Sequence, residues 1–438
     1  MDSQIPSTII RNVRLFSEGT LHRGAVVFQG DTITCVLREG ADDIDAVASL
    51  VDSVIDGNNC MLLPGAIDAH VHFREPGMTQ KADIASESRA AAAGGVTTVF
   101  DMPNVKPTTT TLQALEEKHK LFAEKCVVNY GIFWGITTSN VDETLEYFEN
   151  TANGKYPDIV GYKVFLGSST GGMLMNDAEL LRKLFSSTKR IIAVHSESED
   201  IIRANREKYN AEDLPIEYHP IIRSEEACVE TTKMAIGLAD ETGANLHICH
   251  ITTAAELALL GKSDNITAEA CVSHLWFTDA DYKTLGTKIK CNPAIKTIAD
   301  REALRKGLSN GLINTVATDH APHLPSDKVG GSLKAASGMP SIQFSLLAML
   351  ELAKQGVVSI GKVVELMCEN PARRFGIADR GSISANKKAD LVLVSDAETT
   401  TVNKDTILSK CGWSPFEGTT FSHRVKATWV NGVLKYNA

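Results

Sequence analysis

Paired cysteines, long apolar runs and a surplus of basic charge are all missing from this 438-residue chain. The nine cysteines contain no C-x-x-C pair and no regular spacing, and an odd number does not read as a disulfide framework. A reducing compartment is the simpler expectation. No stretch approaches the roughly 18 consecutive apolar residues of a membrane span. Met1-Asp2-Ser3-Gln4 has neither the basic nor the apolar region of a signal peptide. The expected location is therefore the cytoplasm, with no membrane partner. Lysine and arginine (44) are outnumbered by aspartate and glutamate (54), for a net charge of −10. That balance argues against nucleic-acid binding and against an anionic membrane surface. No G-x-G-x-x-G opens a helix, no strand-to-helix serine elbow is read, and no internal repeat stands out. What remains, at 43% hydrophobic and 22% charged residues, is the composition of a soluble globular enzyme or binding protein.

The chain then divides by pattern. Residues 7–16, 25–29 and 32–37 are short β-branched runs separated by Gly or polar turns, as are 389–394 and 425–436 near the other end. Asn431-Gly432 inside the last of these predicts a two-residue hairpin. Neither end is long enough for a stable core of its own, so 1–60 and 376–438 are expected to meet in one small β-sandwich. Between them, 61–375 alternates apolar strands with helical segments. Eight strands are predicted, at 61–72, 96–101, 127–135, 159–166, 191–195, 245–251, 266–271 and 314–319. Helix-like runs lie at 83–93, 112–125, 142–151, 178–186, 225–242, 254–260 and 298–308. Gly94-Gly95 and Gly243 are C-terminal stops for two of them. Continuous apolar strands joined by helices imply a parallel sheet covered on both faces, and eight such units fit an α/β fold of the (β/α)8 TIM-barrel type. A doubly wound sheet is the alternative.

Polar residues gather at the predicted strand ends, where a barrel of this type carries its active site. The first strand runs into His70-Val71-His72-Phe73-Arg74. Side chains alternate in a strand, so His70, His72 and Arg74 share a face if the segment stays extended. Lys163 stands inside the apolar fourth strand. Its ammonium must shift its pKa, react, snorkel outward or find a carboxylate. A neutral lysine can take up CO2 as a carbamate, whose two oxygens can bridge two cations. His195 closes the fifth strand, His250 and His247 compete for one position on the sixth, and Asp319 ends the eighth, followed by His320 and His323. His274, after the seventh, could reach the rim or be packed in the core. The set suffices for two divalent metals, with Asp319 as acid and base in hydrolysis of a carbonyl compound.

Taken in order, Asp68–Gly77 (DAHVHFREPG), DMPN at 101–104 with Lys106-Pro107, YKVF at 162–165, AVHSE at 193–197, HICHITT at 247–253 and ATDHAPH at 317–323 resemble the metal-dependent amidohydrolase superfamily. Within it they are similar to the class I dihydroorotases of bacterial type. The resemblance covers essentially the whole chain. It implies His70 and His72, with Asp319, as ligands of a more buried Zn2+, and Lys163 as N6-carboxylysine, its CO2 bridging to a second Zn2+ held by His195 and His250. It also implies Arg74, Asn104 and His323 as contacts for a substrate carboxylate and Asn292 as a contact for the substrate ring. The 336–340 loop (ASGMP) resembles the segment whose backbone binds that ring. The implied reaction is reversible cyclisation of N-carbamoyl-L-aspartate to L-dihydroorotate in pyrimidine synthesis. The Gly/Ser-rich stretch 167–172 is expected to be a plain loop, with gating or ordering near the metals as the alternative.

The resemblance further implies a homodimer and raises aspartate transcarbamoylase as a partner protein. A non-catalytic relative serving only as that enzyme's partner is disfavoured, because every ligand type is present. Allantoinase and dihydropyrimidinase or hydantoinase are the nearest rivals. Arg74 discriminates, since a carboxylate-bearing substrate calls for that charge and allantoin or a hydantoin does not.

Overall fold

A computed structural model describes residues 5–151, 155–156, 158–167, 172–261 and 263–438. The β-rich N-terminus forms β1 (Ser7–Ser17), β2 (Thr20–Gln29), β3 (Thr32–Arg38), β4 (Ser53–Asp56) and β5 (Met61–Pro64). β1 to β3 pair antiparallel, and β4 and β5 both lie parallel to β1. The predicted strand at 61–72 is therefore two strands that part at Gly65. The chain crosses Thr97 there so closely that a Cβ on residue 65 would come 2.1 Å from its Oγ1. Only glycine passes such a crossing without displacing it.

Beyond that break the chain builds β6 (Ala66–Val71), β7 (Val96–Asp101), β8 (Asn129–Gly135), β9 (Gly161–Phe165), β10 (Ile191–His195), β11 (Asn245–Ile248), β12 (Ile266–Cys271) and β13 (Thr315–Ala317). Neighbours run parallel from β6 to β13. The ring closes where Val71 bridges His320 and the His72 N–H donates to the His320 carbonyl at 2.8 Å. Asp68 reinforces the seam, accepting the Thr318 hydroxyl at 2.6 Å and the N–H groups of Thr318 and His70 at 3.2 Å. This is a (β/α)8 barrel, and its first and last strands are tied at the ends that carry His70 and Asp319.

Helices fill the connections. Ile84–Ala93 starts at a reciprocal cap between Asp83 and Ser86 and stops at Gly94. Glu225–Thr242 stops at Gly243, in the left-handed region with φ 67°. Among the described residues no helix is long and apolar enough to cross a membrane.

The chain then returns through β14 (Leu391–Ser395), β15 (Thr400–Thr401), β16 (Thr420–Phe421), β17 (Arg424–Val430) and β18 (Val433–Asn437). β14 pairs with β5 on one side and β17 on the other, so both chain ends share one sheet in the order β18-β17-β14-β5-β1-β2-β3. Asn431 and Gly432, with φ 50° and 73°, make the tight turn between β17 and β18. Ile10, Leu15, Phe28 and Leu62 from one end pack with Leu391 and Trp429 from the other in a single buried cluster. Neither set would be covered without its counterpart.

A second buried link holds the mouth of the barrel. The Lys118 ammonium lies 2.5 Å from the Asp101 carboxylate, both fully buried, and donates to the Met102 carbonyl at 2.7 Å. The other Asp101 oxygen accepts the Phe73 N–H at 2.7 Å. The pair thus anchors the segment between His72 and Arg74 to the end of β7. Removing one partner of a buried pair strands the other charge, at about 3–5 kcal/mol. Lys118→Met is expected to lose about that much stability in urea unfolding. Lys118→Met/Asp101→Asn should recover part of it, and a single variant as stable as the parent would contradict an anchoring role.

Candidate active site

Four histidines and one carboxylate converge at the C-terminal end of the barrel strands. His70 and His72 leave β6 on the same side, with ring centroids 5.5 Å apart. Asp319, two residues past β13, places Oδ1 2.9 Å from His72 Nε2 and 3.4 Å from His70 Nε2. His195, the last residue of β10, presents Nδ1 3.0 Å from Nε2 of His250. His70 links the two groups, its ring centroid 5.4 Å from that of His250.

The outer nitrogens of three of these rings are already engaged. His70 Nδ1 lies 2.8 Å from Glu269 Oε1, His72 Nδ1 2.7 Å from Asn104 Oδ1, and His195 Nε2 2.9 Å from Glu197 Oε2. Each oxygen accepts the N–H on one side of its ring, so the free lone pair points into the common space. That is how metal-binding imidazoles are oriented. His250 Nδ1 is buried with no hydrogen-bond partner among the described residues. His70, His72 and Asp319 bring ligand atoms within 4.8 Å of one another, and His70, Cys249 and Glu269 form a second such group. The donors, nitrogen and carboxylate oxygen on one shared space, fit divalent cations. Burial alone would raise the Asp319 carboxyl, but the His70 and His72 rings outweigh it and hold it at about 2.

Lys163 sits on β9, fully buried, its Nζ 3.0 Å from Cys249 Sγ and 5.3 Å from the Phe165 ring centroid. Among the described residues no carboxylate pairs with it. It neither snorkels to the surface nor finds an ion-pair partner.

Backbone strain marks the same place. Outside glycine, positive φ occurs at Glu18 and several asparagines in turns, and at Arg74 (66°), His250 (40°) and Asp319 (49°). Such conformations cost about 1–3 kcal/mol each and persist where the surroundings impose them, commonly at functional sites. They also correct the sequence reading. β6 ends at Val71, so strand alternation does not carry Arg74 to the site; a left-handed turn does. Likewise β11 ends at Ile248 and His250 lies beyond it.

Arg74 is buried, its Nη2 3.1 Å from His323 Nε2 and its Nε donating to the Pro322 carbonyl at 3.1 Å. Lys81 Nζ stands 3.0 Å from the other ring nitrogen of His323. Burial, with the charges of Arg74 and Lys81, pushes the His323 imidazole down to about 2. A neutral imidazole has one lone pair and can accept from only one of two cations. A hydrogen from the other is left for an outside acceptor. Among the described residues Asp327, 3.3 Å from Lys81, is the carboxylate that pairs in this cluster, and none pairs with Arg74. Asn104 gives its oxygen to His72 Nδ1, and among the described residues its Nδ2 makes no hydrogen bond. Asn292 has a buried Oδ1 without a hydrogen-bond partner among the described residues.

Other histidines lie outside the cluster. His247 contacts Thr267 Oγ1 at 2.8 Å and packs on Phe375. His320 turns away to Glu87, at 2.8 Å. His274 is buried against the Pro293 carbonyl at 3.1 Å. The stretch 168–171, for which gating is the alternative above, lies outside the described residues. G-x-S-x-G spacings do occur at 167–171 and 307–311; the first lies largely outside the described residues, and in the second Ser309 sits in the last turn of the helix Ile298–Asn310 and is no strand-to-helix elbow. Glu269, Glu197, Cys249 and Lys81 were not singled out by the sequence reading. The signal for Glu269 was a charge inside an apolar strand, and for Glu197 a carboxylate two residues past a strand-end histidine.

The profile of the Amidohydrolase family matches residues 61–435. The chain belongs to the amidohydrolase family. A dihydroorotase from Halobacterium salinarum is 37% identical over 87% of this chain and 89% of its own length. One from Methanosarcina mazei is 33% identical over 94% and 91%. An allantoinase from Bacillus velezensis is 32% identical over 98% and 93%. Among solved structures, the L-hydantoinase of Arthrobacter aurescens aligns with a TM-score of 0.90 at 26% identity, covering 98% of this chain and 96% of that one. The amidohydrolase family is metal-dependent, in keeping with the donor groups around His70.

Proposed function

We propose that this amidohydrolase is a dihydroorotase, interconverting L-dihydroorotate and N-carbamoyl-L-aspartate. The observation that carries the reading is the buried guanidinium of Arg74, set with His323 and Lys81 and paired to no carboxylate among the described residues. A substrate carboxylate completes that cluster, and a guanidinium suits its planar shape. The relatives named dihydroorotase support the same choice.

His70, His72 and Asp319 would hold one zinc ion and His195 and His250 the other, with Lys163 as the carbamate between them. When bound, the cations supply an acidified water and polarise the amide carbonyl. The protein does the rest. Arg74 and Asn104 Nδ2 would hold the carboxylate, with His323 set between Arg74 and Lys81, and Asn292 Oδ1 would accept from a ring N–H. Asp319 uses Oδ1 toward the imidazoles, so Oδ2 is left to take a proton from the attacking water and deliver it to the leaving ring nitrogen. Glu269, Asn104 and Glu197 keep the imidazoles in the tautomer that faces inward. This reading takes 61–375 as the catalytic barrel and 1–60 with 376–438 as a β domain. It places the enzyme in the cytoplasm as a homodimer, with aspartate transcarbamoylase as the partner to test.

Assays of the metal-replete protein with dihydroorotate, hydantoin and allantoin side by side test this. Dihydroorotate should be preferred by at least about a hundred-fold in kcat/KM, as expected when a buried charge must be matched. Arg74→Met should remove that preference mainly through KM. Equal turnover of hydantoin by the parent protein would favour the hydantoinase reading, which the L-hydantoinase likeness makes the natural rival.

A further inference from the structure

A buried ammonium that the reaction does not use lies behind the anion cluster. Lys328 ends the short turn Pro325–Lys328 that follows His323. Its Nζ donates to three backbone carbonyls, those of Lys290 at 3.0 Å, Ala336 at 2.8 Å and Gly338 at 2.9 Å. The Trp413 ring covers it at 5.7 Å. The residue is 5% exposed, and among the described residues no carboxylate pairs with it. An ammonium has three hydrogens, and here each has a carbonyl.

The three carbonyls belong to segments that border the site. Lys290 precedes Asn292 by two residues, and its carbonyl also accepts the Gly338 N–H at 2.8 Å. The 336–338 stretch presses against the loop after β13. A Cβ on Gly338, whose φ is 136°, would come 2.6 Å from the Ala321 carbonyl and 3.0 Å from His323 Cδ2. Trp413, from the C-terminal segment, donates its indole N–H to the His323 carbonyl at 2.7 Å. Lys328 is thus the point at which the Asn292 segment, the 336–338 loop, the His323 loop and the C-terminal segment are joined. Carbonyl dipoles and an aromatic face stabilise the cation without the opposite charge that would compete for an anion next to it. Burial, with Lys290 and Arg74 nearby, pushes the Lys328 ammonium down to about 7.

We propose that Lys328 is a positioning residue for the anionic end of the substrate, its ammonium holding Asn292, His323 and the 336–338 loop in the arrangement that receives the carboxylate and ring. This rests on the dihydroorotase reading. It goes beyond that reading in assigning specificity to a side chain that touches neither substrate nor metal.

The test is steady-state kinetics of Lys328→Met and Lys328→Arg on dihydroorotate, with thermal unfolding of each. The methionine keeps the length and removes all three donors. The arginine keeps the charge, but its planar fork cannot serve three carbonyls that surround one point. Both should raise KM by about ten-fold or more with kcat within about three-fold, because a displaced binding wall weakens ground-state and transition-state binding alike. A KM within two-fold of the parent in a folded variant overturns the proposal. So does a loss in kcat alone, or full rescue by arginine. If the methionine variant fails to fold, the arginine variant decides alone. It keeps the charge and breaks the fit to the three carbonyls, and an unchanged KM there is equally fatal. Turnover of dihydroorotate by the parent protein is read first. Its absence defeats the dihydroorotase reading, whereas the ratio of variant to parent KM tests Lys328 alone.

Discussion

Asp319→Asn is expected to lose about two to four orders of magnitude in kcat while keeping its fold, the span associated with a positioned acid and base. The amide matches the carboxylate in shape and can still offer an oxygen toward His72 and His70, which lie 2.9 and 3.4 Å from Oδ1. It cannot hold a proton at the second position. Metal content should therefore stay near that of the parent protein while turnover disappears. The check is elemental analysis beside single-turnover kinetics on dihydroorotate. Near-normal turnover with metal retained would remove Asp319 from the proton path and return that role to another group.

Lys163→Ala is the second large loss. The lysine is fully buried on β9, without a carboxylate partner among the described residues, and faces Cys249. An unpaired ammonium in that position is costly to desolvate, and conversion to a carbamate turns the liability into a ligand. If Lys163 bridges two zinc ions as proposed, alanine removes that bridge, and the variant should bind one zinc per chain in place of two and lose at least about a hundred-fold in kcat, the usual effect of deleting one electrostatic contributor. Two tightly held zinc ions in this variant would defeat the bridging role.

The pattern of apolar runs made the eight barrel strands legible, and three of them, Val96–Asp101, Ile191–His195 and Ile266–Cys271, fall at their predicted bounds. Gly94 and Gly243 as helix ends, and Asn431-Gly432 as a hairpin, were equally readable, because each rests on local backbone chemistry. The terminal strands were readable as strands, and their meeting in one β domain followed from neither being able to cover its own core; a sandwich was expected, and the strands share one sheet. The break at Gly65 was not readable. It depends on Thr97 passing across it, and nothing within a strand-like run announces a neighbour about thirty residues away.

The HxHxR segment and the later strand-end groups named the chemistry before any fold was known. His70, His72, His195, Asp319 and Lys163 carry in their types and strand positions the suggestion of a two-metal hydrolase. Their meeting is a different matter, since side-chain alternation sets a face within one strand and says nothing of which strands close the ring. Barrel closure, fixed by Asp68 and Thr318 and by His72 on His320, brings Asp319 to His72. The left-handed backbone at Arg74, His250 and Asp319 then aims three side chains that extended strands would have pointed elsewhere. Glu269, Glu197, Lys81 and Lys328 entered only with the tertiary structure, because a buried charge is defined by what surrounds it. By itself the sequence determined the family and the class of chemistry, and offered candidate residues for it. The tertiary structure decided which of them share one space, which oxygens hold the imidazoles, and where an unmatched positive charge waits for an anion. Those are distances between segments far apart in the chain, and local propensity does not encode them.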